Sequence, residues 1–304
     1  MPLDASDQLD AIVVGGSFAG LAAATYLARA RRRVRVIDAG KPRNRFAEKS
    51  HGFLGHDGSD PRTILAAART QVAAYPTVEI VEGEAVEARA DGAGFSVGLA
   101  GGETLQASRL VLAFGLTDGL PPLPGLAERW GKTVLHCPYC HGFEFADERL
   151  GVLYTMPNSI HGAMLIAEWG PTTLYLDGQA VLDAESEAEL VRRGVAIERD
   201  PLAGLEGEGA GLSHVRFADG RRRAIDALFV APRSTLTSPL AAQLGCAIDE
   251  GPMGPVVRTD GEKRTTVPGV YAAGDIARAP HSVSWAVADG VMAGVAAHRS
   301  LVFG

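Results

Sequence analysis

The order strand, glycine turn, helix, strand, acid at the start of the chain leaves few folds open to it. Leu9 to Val14 is a short apolar run and reads as a buried strand. Gly15-Gly-Ser-Phe-Ala-Gly20 is the turn that follows, Leu21 to Ala30 has a helix-forming composition, and Val34 to Ile37 is a second apolar run closed by Asp38. The turn matches G-x-G-x-x-G at Gly15 and Gly20, with Ser17 at the middle glycine. Gly15 makes the turn after the strand, Gly20 lets helix and sheet pack closely, and the helix N-terminus then faces a pyrophosphate. Ser17 adds a small side chain whose hydroxyl can bond a phosphate. Asp38 stands where an acid takes ribose hydroxyls. All five parts in register predict dinucleotide binding.

The 304 residues suffice for two domains, and an apolar fraction of 46% with 21% charged residues is that of a globular protein. A net charge of -7 leaves no basic footprint for nucleic acid or anionic membranes. Met1 to Asp10 carries acids and no apolar core, unlike a signal peptide. No apolar run approaches the roughly 20 residues that cross a bilayer. A cytoplasmic location is therefore expected, where a close cysteine pair is catalytic or metal-binding rather than a structural staple.

Arg43 to Asp60 is a Gly/His/Asp-rich loop too long for an ordinary connection and so a functional candidate. A helix over Pro61 to Ala74 and strands over Val78 to Val81, Ala85 to Ala88, Phe95 to Leu99 and Leu110 to Phe114 follow. After a Pro-rich linker, Leu120 to Gly125, the pattern restarts: strand Gly151 to Thr155, helix Ser159 to Trp169, strand Thr172 to Leu176, helix Ala184 to Gly194. A second linker, Pro232 to Pro239, returns the chain to its first domain. The expected fold is α/β, with two Rossmann-like three-layer domains, the second inserted in the first. The outer domain takes residues 1–116 and 237–304 and the inserted one 117–236.

Redox chemistry is expected in His136-Cys-Pro-Tyr-Cys-His-Gly142, within the inserted domain. Cys137 and Cys140 are spaced to close a small disulfide, and such a motif lowers the pKa of one thiol. The same letters also spell a c-type haem attachment, and a zinc site or an inert buried pair are further readings. His141, with a pKa near neutrality, suits proton transfer from a thiol, while His136 reads as structural. Cys246 stands alone in an apolar context and reads as a core residue.

Thr266-Val-Pro-Gly-Val-Tyr-Ala-Ala-Gly-Asp275 resembles the second FAD fingerprint of the two-dinucleotide-binding flavoproteins, in which a strand delivers Gly274 and Asp275 to the ribityl-phosphate part of the flavin. Ala113-Phe-Gly115 resembles the Ala-Thr-Gly crossing of the same proteins, with Phe114 replacing threonine. FAD fingerprints at both ends, with Cys-x-x-Cys in the inserted domain, resemble the low-molecular-weight thioredoxin reductases over nearly the whole chain. The resemblance implies bound FAD, a homodimer, Cys140 against the flavin, and Cys137 as the sulfur that exchanges with an external thiol or disulfide. Thioredoxin reductases carry an aspartate where this chain has His141. Cys-Pro-x-Cys-His-Gly is instead similar to the dithiol oxidases that close disulfides in natural products of the gliotoxin, holomycin and romidepsin type. The loop Ser50-His-Gly-Phe-Leu-Gly-His-Asp-Gly58 also resembles that branch, where it borders the flavin, making His51 a candidate for work on flavin or substrate.

The second glycine fingerprint is missing. Tyr154-Thr-Met-Pro-Asn158 lacks its glycines, and Leu176-Asp-Gly178 lacks arginines for a 2′-phosphate, which Asp177 would repel. The inserted domain is thus expected to keep its fold without tight NADPH binding. The leading function is an FAD-dependent dithiol oxidase with oxygen as acceptor and a small-molecule dithiol or a thioredoxin-like protein as partner. The alternatives are a thioredoxin or small-disulfide reductase fed by NADPH or another donor such as ferredoxin, and a flavin-bound redox sensor without turnover.

Overall fold

The computed structural model describes residues 9–92, 94–179 and 181–304. Residues 1–8, which carry most of the signal-peptide expectation, lie outside the described residues. The chain divides into two compact units. The first comprises the chain up to Arg45 with Pro61–Thr117 and Ser234–Gly304, and the second Phe46–Asp60 with Asp118–Arg233.

The first unit opens with β1 (Leu9–Val14), α1 (Phe18–Arg29), β2 (Val34–Asp38), α2 (Pro61–Ala73), β3 (Val78–Glu82), β4 (Ala85–Asp91), β5 (Gly94–Leu99) and β6 (Thr104–Leu112). The chain then passes through β7 (Leu116–Gly119) into the second unit. There lie β8 (Val134–Leu135), α3 (Pro138–His141), β9 (Leu150–Leu153), α4 (Asn158–Ile166), β10 (Thr172–Tyr175), α5 (Ala184–Arg192), β11 (Ala196–Glu198), β12 (Leu202–Glu206), β13 (His214–Phe217), β14 (Arg222–Ala224) and β15 (Ala227–Val230). It returns through β16 (Arg233–Leu236), which pairs with β7, to α6 (Leu240–Gln243), β17 (Ile248–Gly251), β18 (Gly254–Val257), β19 (Val270–Ala272) and α7 (Val283–Phe303). Part of the stretch expected as a second linker is thus strand.

The first unit is built on a seven-stranded sheet of order β3-β2-β1-β6-β5-β4, with β19 also on β6. One edge of β6 pairs in parallel with β1 from Ala107 to Leu112; the other pairs with β5 at Thr104–Ala107 and with β19 at Leu110–Leu112. Both faces of the central strands are buried, as a sheet covered on two sides requires. Ala11, Val13, Val34 and Val36 meet α1, α2 and α7 on one face, and Ile12, Val14 and Ile37 meet Val97, Leu240 and Val257 on the other. α1 and α7 approach backbone to backbone: a Cβ on Gly290 would come within 2.0 Å of the Ala19 carbonyl oxygen.

The second unit carries a five-stranded parallel sheet of order β11-β10-β9-β15-β8. Ala163, Ile166 and Leu190 from α4 and α5 cover one face, and Leu205, Val215 and Phe217 from the antiparallel β12-β13-β14 sheet cover the other. The sequence places residues 46–60 in the first domain, whereas contacts place them in the second unit. Phe46 packs against Gly131, and Glu48 pairs with Lys132 at 3.0 Å. Among the described residues no helix is long and apolar enough to cross a membrane.

Candidate functional site

In the first unit the glycine turn joins β1 to α1. Gly15 has φ of +115°, and a Cβ there would sit 2.1 Å from the Ala113 carbonyl oxygen at the end of β6. Only glycine fits such a crossing. A Cβ on Gly20 would come within 1.8 Å of the Gly15 carbonyl oxygen, which is why strand and helix tolerate no side chain there. Ser17 is the N-cap of α1, and its hydroxyl makes no capping hydrogen bond. Asp38 ends β2 against Gly16, where a Cβ would meet its side chain at 2.5 Å. Its carboxylate is ion-paired with Arg69 on α2 and accepts the Gly40 amide at 3.0 Å. Gly274, at φ of +77°, brings the turn after β19 against Ala19 of α1. Gly115, two residues past Ala113, also has φ of +77°, and Phe114 packs into the core beneath the sheet.

Three neighbours of this cradle escaped sequence reasoning: Gly16, Arg43 and His281. Gly16 was visible as the second half of a Gly-Gly pair. Arg43 Nη1 lies 2.9 Å from Asp275 Oδ2 and 2.7 Å from His281 Nδ1. A guanidinium only donates, so Nδ1 accepts and the ring proton sits on Nε2, 3.0 Å from the Arg278 carbonyl oxygen. No local pattern announces a pairing between Arg43 and Asp275 across so much chain.

In the second unit Cys137 and Cys140 form a disulfide, with Cα atoms 5.3 Å apart. Cys137 precedes α3 and Pro138 opens it, where a missing N–H costs nothing. The amides of Cys140 and His141 both reach the Cys137 carbonyl oxygen at 3.2 Å, which folds the motif onto itself. Gly142 is required behind it, because a Cβ would meet Pro138 O at 2.5 Å and Trp169 Nε1 at 2.9 Å. Burial lowers the His141 pKa, Glu144 raises it and His51 lowers it, the first effect being the largest. His136 Nδ1 lies 3.3 Å from the Val230 carbonyl oxygen, a structural contact. Tyr139, Phe143 and Leu54 are 72%, 84% and 96% exposed, unusual for such large apolar groups. His51, grouped from the sequence with the cofactor residues, belongs to this unit and stands edge-on to His141. Cys246 is buried in the core of the first unit.

The turn after β9 differs from the one after β1. Ser159, 2% exposed, accepts the amides of Thr155 at 3.1 Å and Met156 at 3.4 Å on its hydroxyl oxygen. Thr155 Oγ1 donates to the Ala231 carbonyl oxygen at 2.7 Å. Asp177, beyond β10, accepts the Leu202 amide at 2.7 Å.

A model of the pyridine nucleotide-disulphide oxidoreductases matches residues 9–159 and 171–290, and the chain belongs to that family. It is an oxidoreductase of thioredoxin reductase-like type, and membership implies a flavin. Thioredoxin reductase tcpT of Claviceps purpurea (strain 20.1) is 32% identical over 314 residues, covering 99% of this chain and 96% of that one. The crystal structure of the oxidoreductase from Agrobacterium tumefaciens superposes with a TM-score of 0.93 at 46% identity over 98% of this chain and 99% of that one. HlmI superposes with a TM-score of 0.93 at 36% identity over 99% and 95% of the two chains.

Proposed function

We propose that this chain is an FAD-dependent dithiol oxidase. The cradle of the first unit supports FAD as its group. Gly15 and Gly20 clear the path between strand and helix, Ser17 keeps its hydroxyl out of capping, and Asp275 and Gly115 flank the sheet's C-terminal edge. Gly15, Gly20, Ser17, Asp38 and Asp275 would hold FAD there, and the bound group would supply a two-electron acceptor for the Cys137/Cys140 dithiol, with oxygen as the proposed final oxidant.

The chain's own residues handle sulfur and protons. His141, biased towards the neutral imidazole by burial, takes the proton of an incoming thiol. The thiolate attacks Cys137, the Cys137–Cys140 bond breaks, and its electron pair leaves on Cys140. The substrate's second thiol then displaces Cys137, so a dithiol becomes a disulfide and two electrons and two protons are delivered to the enzyme pair. The exposed Tyr139, Phe143 and Leu54 favour an apolar organic dithiol as the substrate.

One observation carries the choice of oxidase over reductase: the Ser159 hydroxyl takes the Thr155 and Met156 amides that a nucleotide pyrophosphate would need at that turn. Asp177, held by Leu202, adds a negative charge where a 2′-phosphate would lie. The test is an anaerobic titration of the yellow protein with NADPH and with a dithiol in separate cuvettes. Bleaching by the dithiol alone, reversed by air, is expected. Rapid bleaching by NADPH would move the assignment to a disulfide reductase, the activity in the name of tcpT.

A further inference from the structure

The loop between Ser50 and Ser59 holds one imidazole between two carboxylates. His51 Nε2 lies 3.2 Å from Glu144 Oε1, and His51 Nδ1 lies 3.5 Å from Asp57 Oδ1. The two contacts are unequal. Asp57 Oδ1 already accepts the Gly52 amide at 2.8 Å, and 3.5 Å is beyond an ordinary N–H···O bond, whereas Glu144 is within reach of one. The loop is closed at its neck by the Ser50 amide on the Ser59 carbonyl oxygen and the Gly58 amide on the Ser50 carbonyl oxygen, at 2.8 and 2.9 Å. His51 is therefore presented by a tied loop, and its ring meets that of His141 edge-on, with centroids 6.1 Å apart and planes at 84°. Glu144 comes from the 3-10 turn Phe143–Phe145 that continues directly from His141. One carboxylate thus bears on both imidazoles beside the disulfide.

We propose that Glu144 is a positioning residue for thiol deprotonation, holding His51 edge-on to His141 and stabilising the positive charge that appears on His141 when it takes the substrate's proton. The inference rests on His141 as the base. In the step it serves, the proton moves from the substrate sulfur to an imidazole nitrogen of His141. The thiolate pair becomes the new bond to Cys137, and the Cys137–Cys140 pair leaves on Cys140. Among the described residues the charged or titratable groups that bear on His141 are His51 from the tied loop, itself flanked by Asp57, and Glu144 from the turn that follows, while Cys137 and Cys140 on its own turn are tied up in the disulfide. Their signs give opposite signatures. A carboxylate favours the imidazolium and a charged His51 opposes it. Removing Glu144 weakens the base and moves its titration to lower pH; removing His51 moves it to higher pH.

The experiment is anaerobic stopped-flow reduction of the flavin in the holoprotein by dithiothreitol, as a function of pH, for the wild type, Glu144→Gln, Glu144→Asp, His51→Gln and His141→Gln. The reagent's own ionisation is common to all and cancels between variants. Glu144→Gln is expected to shift the acid limb to lower pH and to slow the plateau about tenfold, within the range for a weakened general base. Glu144→Asp should recover most of the rate, and His51→Gln should shift the limb upward. A Glu144→Gln profile that overlies the wild type while His141→Gln loses the limb overturns this proposal and leaves His141 as the base. A His141→Gln enzyme that keeps the wild-type rate and limb overturns the underlying reading instead. Should Glu144→Gln not fold with its flavin, His51→Gln reads the same contact from its other end, and an unshifted limb there overturns the proposal.

Discussion

Arg43 Nη1 lies 2.9 Å from Asp275 Oδ2, joining the loop after β2 to the turn after β19 across 232 positions of sequence. A charge-assisted bond of this kind contributes about 1.5–3 kcal/mol. If Asp275 holds the flavin as the resemblance implies, Arg43→Gln frees that carboxylate and lets the turn move. The expected result is a flavin that dissociates about 10- to 100-fold more readily. Equilibrium dialysis against apoprotein measures it, and unchanged affinity would separate Arg43 from the cofactor.

Substitution of either cysteine of the proposed redox pair should stop turnover. Cys140→Ser removes the leaving thiolate, so substrate thiols can no longer deliver electrons in pairs and turnover should stop. Cys137→Ser removes the sulfur expected to be attacked and should also stop turnover, while leaving Cys140 open to alkylation. Peroxide production with a dithiol substrate reads the first outcome, and mass spectrometry after a thiol reagent reads the second.

Burial holds the His141 pKa below the usual histidine value near 6.5. A depressed pKa means that the neutral base is retained as pH falls to about that value and is lost only lower. Dithiol-driven flavin reduction, corrected for substrate ionisation, should therefore show an acid limb centred below the ordinary histidine value of about 6.5. A limb centred above that would contradict the assignment of His141 to it.

Burial also pushes the Cys246 thiol pKa up, against a smaller opposing effect of Thr265, whose Oγ1 receives the Sγ hydrogen bond at 3.5 Å. The thiolate is the reactive form, so this cysteine should be inert. Of the 3 cysteines in the chain, a thiol reagent should find none in the oxidised native protein and two after anaerobic reduction, with the last appearing only on denaturation.

Ser159→Ala leaves the Thr155 and Met156 amides without their acceptor at the head of α4. Such a loss costs about 1–2 kcal/mol, so calorimetry should record a fall in Tm of a few degrees. The variant should still not be reduced by NADPH, because Pro157 and Asp177 remain.

Much of this was legible beforehand where chemistry and local pattern coincide. β1 matches its apolar run residue for residue, and the cysteine pair and glycine turn lie where their spacing placed them. α1 starts at Phe18 rather than Leu21, because Gly20, which reads as turn, lies within the first helical turn. β6 starts at Thr104 rather than Leu110, since its first half alternates exposed and buried and only its apolar end stands out. α7, 21 residues long, was not anticipated. Its Gly290 and Gly294 read as helix-weakening, yet they let it lie against α1, a tertiary reason that outweighs propensity. The same holds for Arg43, Glu144 and Ser159, whose partners local spacing does not reveal; His51 was a candidate from its loop, but its place edge-on to His141 was not foreseen. Glu144 alone left a trace, three residues beyond His141.

The cradle's first half, Gly15 to Gly20, precedes the second unit on the ribosome, whereas Gly274, Asp275 and α7 follow it. Until then β6 lacks its β19 neighbour and the cover of α7. The second unit has no such delay: once Arg233 has emerged, every residue of it is available, Phe46–Asp60 included. Biogenesis should therefore run from the inserted unit outwards, with flavin loading as a late, post-translational event. Riboflavin starvation should accordingly leave chains in which the unit carrying the Cys137–Cys140 disulfide is protease-resistant while the other is degraded.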